Sequence, residues 1–273
     1  KWVQRDDAKL LNRKGGLLDH FGARDVVSLK TSDIRDFLNK LDEGRETPLS
    51  ASSKTKFVNT FRKVMAFAKD AGVIVAVPES PKITLKQDPR PSFTEKEYLA
   101  FLKAARAAAD RGDVVRGVKV TREIYHMIVF ASGSFLRPTE SELLALKHGD
   151  ITRLKHNGVD YLELRVKGKT GFRVVPTLPV CAPNYAKQIR LIGENKASDY
   201  VFLPQYKNRT TALNTYRRLF NHILEKAGLR YDADGNARVP YSIRHFAIQR
   251  RLAKSGGQVN ILWLAEAAGT SPE

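Results

Sequence analysis

Four prolines, Pro78, Pro81, Pro89 and Pro91, fall within one short stretch of the chain. Proline locks its own φ, has no backbone N–H to donate and disfavours helix in the residue before it. No helix and no central strand can run through such a stretch. The breaks begin at Pro78, and the reading is a linker over 81–92 with a domain on each side, residues 1–80 and residues 93–273. A length of 273 residues suits two domains, and a hydrophobic content of 42% is enough for packed cores, which excludes a disordered tail protein. No run of about 18 apolar residues occurs. No apolar h-region follows Lys1-Trp2-Val3-Gln4-Arg5, so neither a membrane span nor a secretory signal is visible. The single cysteine, Cys181, excludes a disulfide framework and a Cys-rich metal site, and fits a reducing, intracellular compartment. The six histidines show no metal-ligand spacing, so no metal site is expected.

The first domain reads as all helix. Phe57, Phe61, Val64, Met65 and Ala68 repeat at helical spacing, and Lys54, Lys56, Arg62, Lys63 and Lys69 fill the rest of that helix. Ile34, Phe37, Leu38 and Leu41 mark a shorter amphipathic helix, and residues 7–21 another, weakened at Gly15-Gly16. In the second domain Thr94 and Glu97 have the spacing of a capping box, with Phe93 and Tyr98 at the staple positions, so a helix should run from about 95 to 110. Residues 122–132 read as a buried helix, and Pro138 as the start of another carrying Glu140, Glu142, Leu143, Leu144 and Leu146. Between 160 and 176 the period changes to two. Leu162, Leu164 and Val166 alternate with Glu163 and Arg165, Lys167 to Gly171 make a turn, and Phe172 to Val175 return, which is a hairpin. Helices are expected near 183–192, 209–227, 242–255 and 258–267. The fold class is mainly α with a small antiparallel β-sheet.

Charge narrows the function. Lys and Arg number 47 against 29 Asp and Glu, a net charge of +18. Residues 1–88 hold 17 basic and 12 acidic side chains, so both halves are positive and the charge is not one tail. A surplus of this size self-repels and suits a polyanion, and nucleic acid fits best because Lys and Arg release the counterions condensed on phosphate. The basic face of the 54–69 helix can meet a phosphate backbone while its apolar face packs, or it can be only a solvated face.

Three basic patches lie along the second domain: Gly133-Ser134-Phe135-Leu136-Arg137-Pro138-Thr139-Glu140, Lys167-Gly168-Lys169-Thr170-Gly171 and Tyr241-Ser242-Ile243-Arg244-His245. Their order and spacing resemble the catalytic domain of the tyrosine recombinases, the phage integrase family. Residues 34–38 and 50–68 resemble that family's all-helical, SAM-like core-binding domain. The resemblance implies that Arg137 and Arg244 clamp the scissile phosphate. Planar guanidinium groups suit that task because they pair with phosphate oxygens and stay charged. It gives Lys169, on the hairpin, the role of general acid for the leaving 5′ hydroxyl, with Lys167 as the competing lysine. Glu140 would orient an arginine or the helix start. His148 and Asp150 would be structural, and His245 either packs or takes part in the chemistry.

Two positions depart from the family pattern. Tyr241 stands where the family commonly has His, three residues before the second arginine, and Thr270 follows Gly269 where His or Trp is usual. Both hydroxyls can hydrogen-bond a phosphate, but neither is a good base near neutral pH. The family's nucleophile is a tyrosine about ten residues after that glycine. The nine tyrosines here all lie at or before Tyr241, so the nucleophile is expected beyond Glu273, and residues 1–273 alone are expected to bind DNA without cleaving it.

The resemblance further implies site-specific recombination or integration of double-stranded DNA. It implies a tetramer assembled on that DNA, accessory DNA-bending proteins, and a cytoplasmic, nucleoid-associated life in a phage or integrative element. It implies no cofactor, since the phosphotyrosyl bond conserves the energy of the broken phosphodiester and no phosphate-binding P-loop is present. The alternatives are a type IB topoisomerase, which uses similar groups, and a regulator that binds DNA on the same fold without catalysis.

Overall fold

The computed structural model describes residues 2–84, 91–168, 171–193 and 195–270. It divides into two compact units, Lys1–Asp88 and Pro89–Glu273. Much of the proline-rich stretch, including Pro89, lies outside the described residues, as do Lys169, Thr170 and Ser271 to Glu273.

The first unit is helical: α1 (Trp2–Asn12), α2 (Leu17–Phe21), α3 (Thr31–Lys40) and α4 (Ala51–Asp70). The expected 7–21 helix is two helices. Gly15 at φ +69° turns the chain, and its N–H donates to Asp19 at 2.8 Å, a conformation that interrupts the helical ladder. Helix α4 starts at Ser50, whose hydroxyl accepts from Ser53 N at 3.2 Å. Its inward residues Phe57, Phe61 and Met65 meet Ile34, Phe37 and Phe21. Phe37 lies 5.4 Å from Phe21 and 5.5 Å from Phe57, ring centre to ring centre. Each such burial stabilises by about 1.5–3 kcal/mol. Val64 departs from the expected stripe: it stays 43% exposed, on the rim of an open apolar groove beside Leu11, Leu18 and Met65.

The second unit begins with α5 (Glu95–Arg111). Its capping box is present, with Thr94 N donating to Glu97 at 2.8 Å and Glu97 N donating to the Thr94 hydroxyl at 3.2 Å. Phe93 and Tyr98 converge on Phe246, at 6.3 and 4.5 Å. A two-strand ribbon, β1 (Val114–Val115) and β2 (Val118–Lys119), leads to the buried α6 (Arg122–Ser134). The main sheet is antiparallel, β3 (Ile151–His156), β4 (Val159–Gly168) and β5 (Gly171–Pro176), in that spatial order. Strand β3 escaped the sequence reading because Ile151 and Leu154 are three apart and do not alternate. Helices α7 (Cys181–Ile192), α8 (Arg209–Lys226), α9 (Pro240–Lys254) and α10 (Ile261–Ala268) complete the unit. One large core joins α5, α6, α8, α9 and the sheet, and a small second core of Phe135, Ala247, Leu264 and Ala268 holds α10.

The helix expected from Pro138 does not form. Residues 140–145 are successive turns, closed by wide bonds from Leu143 N to Arg137 O at 3.2 Å and from Leu144 N to Thr139 O at 3.1 Å. Glu142, Leu143, Leu144 and Leu146 are all at most 3% exposed, and Glu142 turns inward to accept from Arg137 and Arg173.

Candidate functional site

Helix α6 ends on Phe135, which takes the left-handed conformation at φ +57°. A bulky residue there is strained. Its ring is fully buried in the small core, and its carbonyl accepts from Arg244. The reversal it produces carries Arg137 out of the helix end. Arg137 Nη1 donates to Glu142 Oε1 at 2.6 Å, and its backbone N–H donates to Glu142 Oε2 at 3.0 Å. Its Nη2 donates to the carbonyl of Gly269.

Arg244, on α9, is 3% exposed and donates to the carbonyls of Phe135 and Ala268. Arg173, on β5, points inward because the register pairs it with Val166, between the outward Phe172 and Val174. Its Nη2 donates to Glu142 Oε2 at 2.8 Å, its Nη1 to Oε1 at 3.2 Å, and its Nε to the Ala267 carbonyl at 3.4 Å. Three arginines from three elements thus meet three successive carbonyls, Ala267, Ala268 and Gly269. These sit at the C-terminal end of α10, where the helix dipole is negative.

The electrostatics follow from burial and pairing. Burial pushes the Glu142 carboxyl up, but hydrogen bonds from Arg173 and Arg137 outweigh it, and the group lies below the ordinary glutamate range. Desolvation opposes the charge on Arg137, and Glu142 more than restores it, leaving Arg137 above its ordinary value. Among the described residues no carboxylate forms an ion pair with Arg244, and burial pushes it down to about 10, still protonated at neutral pH. The Tyr241 hydroxyl hydrogen-bonds Arg137, and its ring centre is 5.9 Å from the Arg244 guanidinium carbon. His245 packs behind Tyr241 with ring centres 5.2 Å apart.

Of the residues singled out by sequence, Arg137, Arg244 and Tyr241 come together directly. Thr270 is exposed and follows Gly269, its backbone N–H closing α10 on Ala265 O at 2.9 Å. Lys169 lies outside the described residues, between the paired Gly168 and Gly171. Lys167 is on the outer face of the sheet, its ammonium 5.8 Å from the Phe172 ring centre. Glu140 does not hold Arg137; it accepts from the Thr210 hydroxyl, and Glu142 takes the arginine instead. His148 is buried, and its Nδ1 and the Tyr185 hydroxyl are hydrogen-bonded at 2.7 Å; Asp150 accepts from Lys147 N at 3.0 Å.

Sequence reasoning missed Glu142 and Arg173. The available signal was charge at inward positions: an acid directly before the Leu143-Leu144 pair, and an arginine two places before the buried Val175, on the same face of the strand. On α4, Lys56, Arg62, Lys63 and Lys69 are exposed, whereas Lys54 is half-buried against Asp42. Lys63 pairs with Asp7 at 2.8 Å. A recess of about 410 Å³ in the same unit gathers Arg13, Lys14, Lys40 and Arg45 around His20. No helix of the described residues is long and apolar enough to cross a membrane.

No protein-family model matches the sequence, and no curated protein matches it. Solved structures do match. A lambda integrase dimer bound to a COC′ core site aligns over 99% of this chain and 90% of its own, at TM-score 0.64 and 16% identity. The Tn1549 transposon integrase in complex with transposon right end DNA aligns over 98% and 84%, at TM-score 0.69 and 20% identity. The XerH site-specific recombinase bound to its difH substrate aligns over 89% and 64%, at TM-score 0.59 and 17% identity. The chain has their fold. Identities of 16–20% carry the architecture, a helical first unit and a mainly helical second unit with a small antiparallel sheet.

Proposed function

We propose that this chain is the core-binding and catalytic part of a tyrosine site-specific recombinase, an integrase that cleaves and rejoins double-stranded DNA through a 3′-phosphotyrosyl intermediate. The observation that carries the reading is the convergence of Arg137 and Arg244 on adjacent carbonyls, Gly269 and Ala268. Two guanidinium groups whose acceptors are one peptide apart can also share the non-bridging oxygens of one phosphate. Those oxygens carry more negative charge than an amide carbonyl, so they make the stronger, charge-assisted bonds.

During attack, charge builds on the same oxygens, and cations already fixed in a partly buried site stabilise it without reorganisation. The tyrosine O–H gives its proton to water as its oxygen bonds to phosphorus, the 5′ oxygen leaves with the bonding pair, and Lys169 supplies the proton that the leaving oxygen takes up. Tyr241 and Thr270 donate hydroxyl hydrogen bonds to the phosphate, and His245 steadies Tyr241. Lys56, Arg62, Lys63 and Lys69 of α4 hold the DNA backbone, with Lys54 a weaker contributor. A lambda integrase tetramer bound to a Holliday junction is among the similar structures, which supports assembly as a tetramer on DNA.

The test uses the complete gene product and a nicked DNA substrate that traps the covalent step. The reading requires a tyrosine shortly after Gly269 and a protein–DNA adduct on it. Arg137→Ala and Arg244→Ala should each abolish that adduct, and normal yield in either refutes the clamp. Loss of Lys169 should be rescued by a better leaving group at the 5′ position. Tyr241 and Thr270, in place of the family's usual residues, favour a second reading, a DNA-binding regulator, which predicts site-specific binding with no adduct. Relaxation of any supercoiled plasmid without a defined site would point to a type IB topoisomerase.

A further inference from the structure

We propose that Arg173 is a positioning residue of this site: it holds Glu142 in the orientation that fixes Arg137, and ties both to the last turn of α10. The role rests on the recombinase reading and adds a residue to it.

Glu142 has a side chain only 2% exposed, and its two oxygens accept four hydrogen bonds. Arg137 supplies two, from Nη1 at 2.6 Å and the backbone N–H at 3.0 Å. Arg173 supplies the other two, from Nη2 at 2.8 Å and Nη1 at 3.2 Å. A buried carboxylate keeps its charge only while such donors surround it. Arg173 therefore supplies two of the four hydrogen bonds that keep Glu142 ionised and in place beside Arg137. All three of its nitrogens are directed at protein acceptors, the third at the Ala267 carbonyl, so its geometry is that of a brace and not of a phosphate clamp.

The surroundings are shaped around this guanidinium. A Cβ added to Gly269 would stand 2.8 Å from the Arg173 guanidinium carbon, and one added to Gly168 would stand 2.7 Å from its Nη1. Real Cβ atoms do not approach so closely, so glycine at both positions lets the end of α10 and the end of β4 close on Arg173. Gly168 and Gly171 are paired at the base of the turn that contains Lys169. Arg173 thus braces three pieces together: the hairpin base, the Arg137 turn and the helix end whose carbonyls meet all three arginines.

The experiment compares Arg173→Met, Arg173→Lys, Glu142→Gln and the Arg173→Met/Glu142→Gln double variant in the complete protein. Adduct formation is followed from about pH 5 to pH 9, with DNA affinity and thermal midpoint measured alongside. Arg173→Met should bind DNA as the wild type does but form adduct about 10- to 100-fold more slowly at the acid end, the scale of a displaced reacting group. That deficit should shrink as pH rises, because Glu142 without Arg173 needs a higher pH to ionise. The wild type should show no such limb. Arg173→Lys should recover part of the rate. The double variant should be no slower than Glu142→Gln and should lack the limb.

A wild-type rate and profile in Arg173→Met overturns the role. So does a loss equal at every pH and additive with Glu142→Gln, which marks a merely structural contact. If Arg173→Met does not fold, Arg173→Lys decides: the same limb supports the role, and a uniform loss or none overturns it. A wild-type protein that forms no adduct overturns the recombinase reading, and this role with it.

Discussion

Phe135 meets two opposed demands. Its φ of +57° costs about 1–2 kcal/mol for an L-residue with a side chain, yet its ring fills the small core with Ala247, Leu264 and Ala268. Phe135→Gly would relax the backbone and remove the ring. Emptying an aromatic site costs about 3–5 kcal/mol, so the net effect should be a loss of about 2–3 kcal/mol in urea unfolding, with Arg244 less well held. His126 gives a pH signature. It is 8% exposed, and burial first, then the charges of Lys187, Arg122 and Arg106, push it down to about 4. Because the folded value is depressed, the unfolded chain binds the proton more tightly. Stability is therefore complete above the unfolded value of 6.5 and is lost as pH falls toward about 4, by about 3 kcal/mol from this group. His126→Gln should flatten the urea midpoint over that interval relative to wild type. Arg137 and Arg244 were legible in the sequence because each sits in a local motif. Glu142 and Arg173 were not, because their bond spans 31 residues and depends on a turn whose shape only packing sets.

Helix α4 and the β4–β5 hairpin were readable because one period dominates each. The start of α5 was readable because its cap is a local hydrogen-bond pattern. The 140–145 turns were not: Pro138 and the following leucines fit a helix equally well, and the choice was made by Glu142 turning inward to two arginines. Strand β3 lacks alternation and is held by its pairing with β4. On α4 the five basic residues are not equal. Lys54 is already tied to Asp42 and half-buried, whereas Lys56, Arg62 and Lys69 are exposed. Replacing Lys56, Arg62 or Lys69 by Ala should each weaken DNA binding and lower the slope of log K against log salt by about one per lost phosphate contact. Lys54→Ala should change the slope less and the thermal midpoint more. Equal salt slopes for all four variants would refute the division.

Across the whole chain, the excess of 18 positive charges and the chemistry of the site separate experimentally. DNA affinity should fall by about a thousandfold or more between about 50 and 200 mM salt, since many phosphates are neutralised at once. Arg137→Ala should leave that slope within about one unit while eliminating the adduct; parallel losses of both would mean that the two are not separate. The proline-dense stretch was legible as a break because proline acts on the backbone locally, and the two compact units divide within it, between Asp88 and Pro89. The end of α10 has one more consequence. Carbonyls of Ala267, Ala268 and Gly269 give the arginines acceptors of middling strength. On the recombinase reading they would act as a built-in competitor, so that a weak anion would gain little by replacing them while a phosphodiester would gain clearly. In a cell crowded with chloride, carboxylates and metabolites, that arrangement would set an admission threshold, with the helix end as its discriminator.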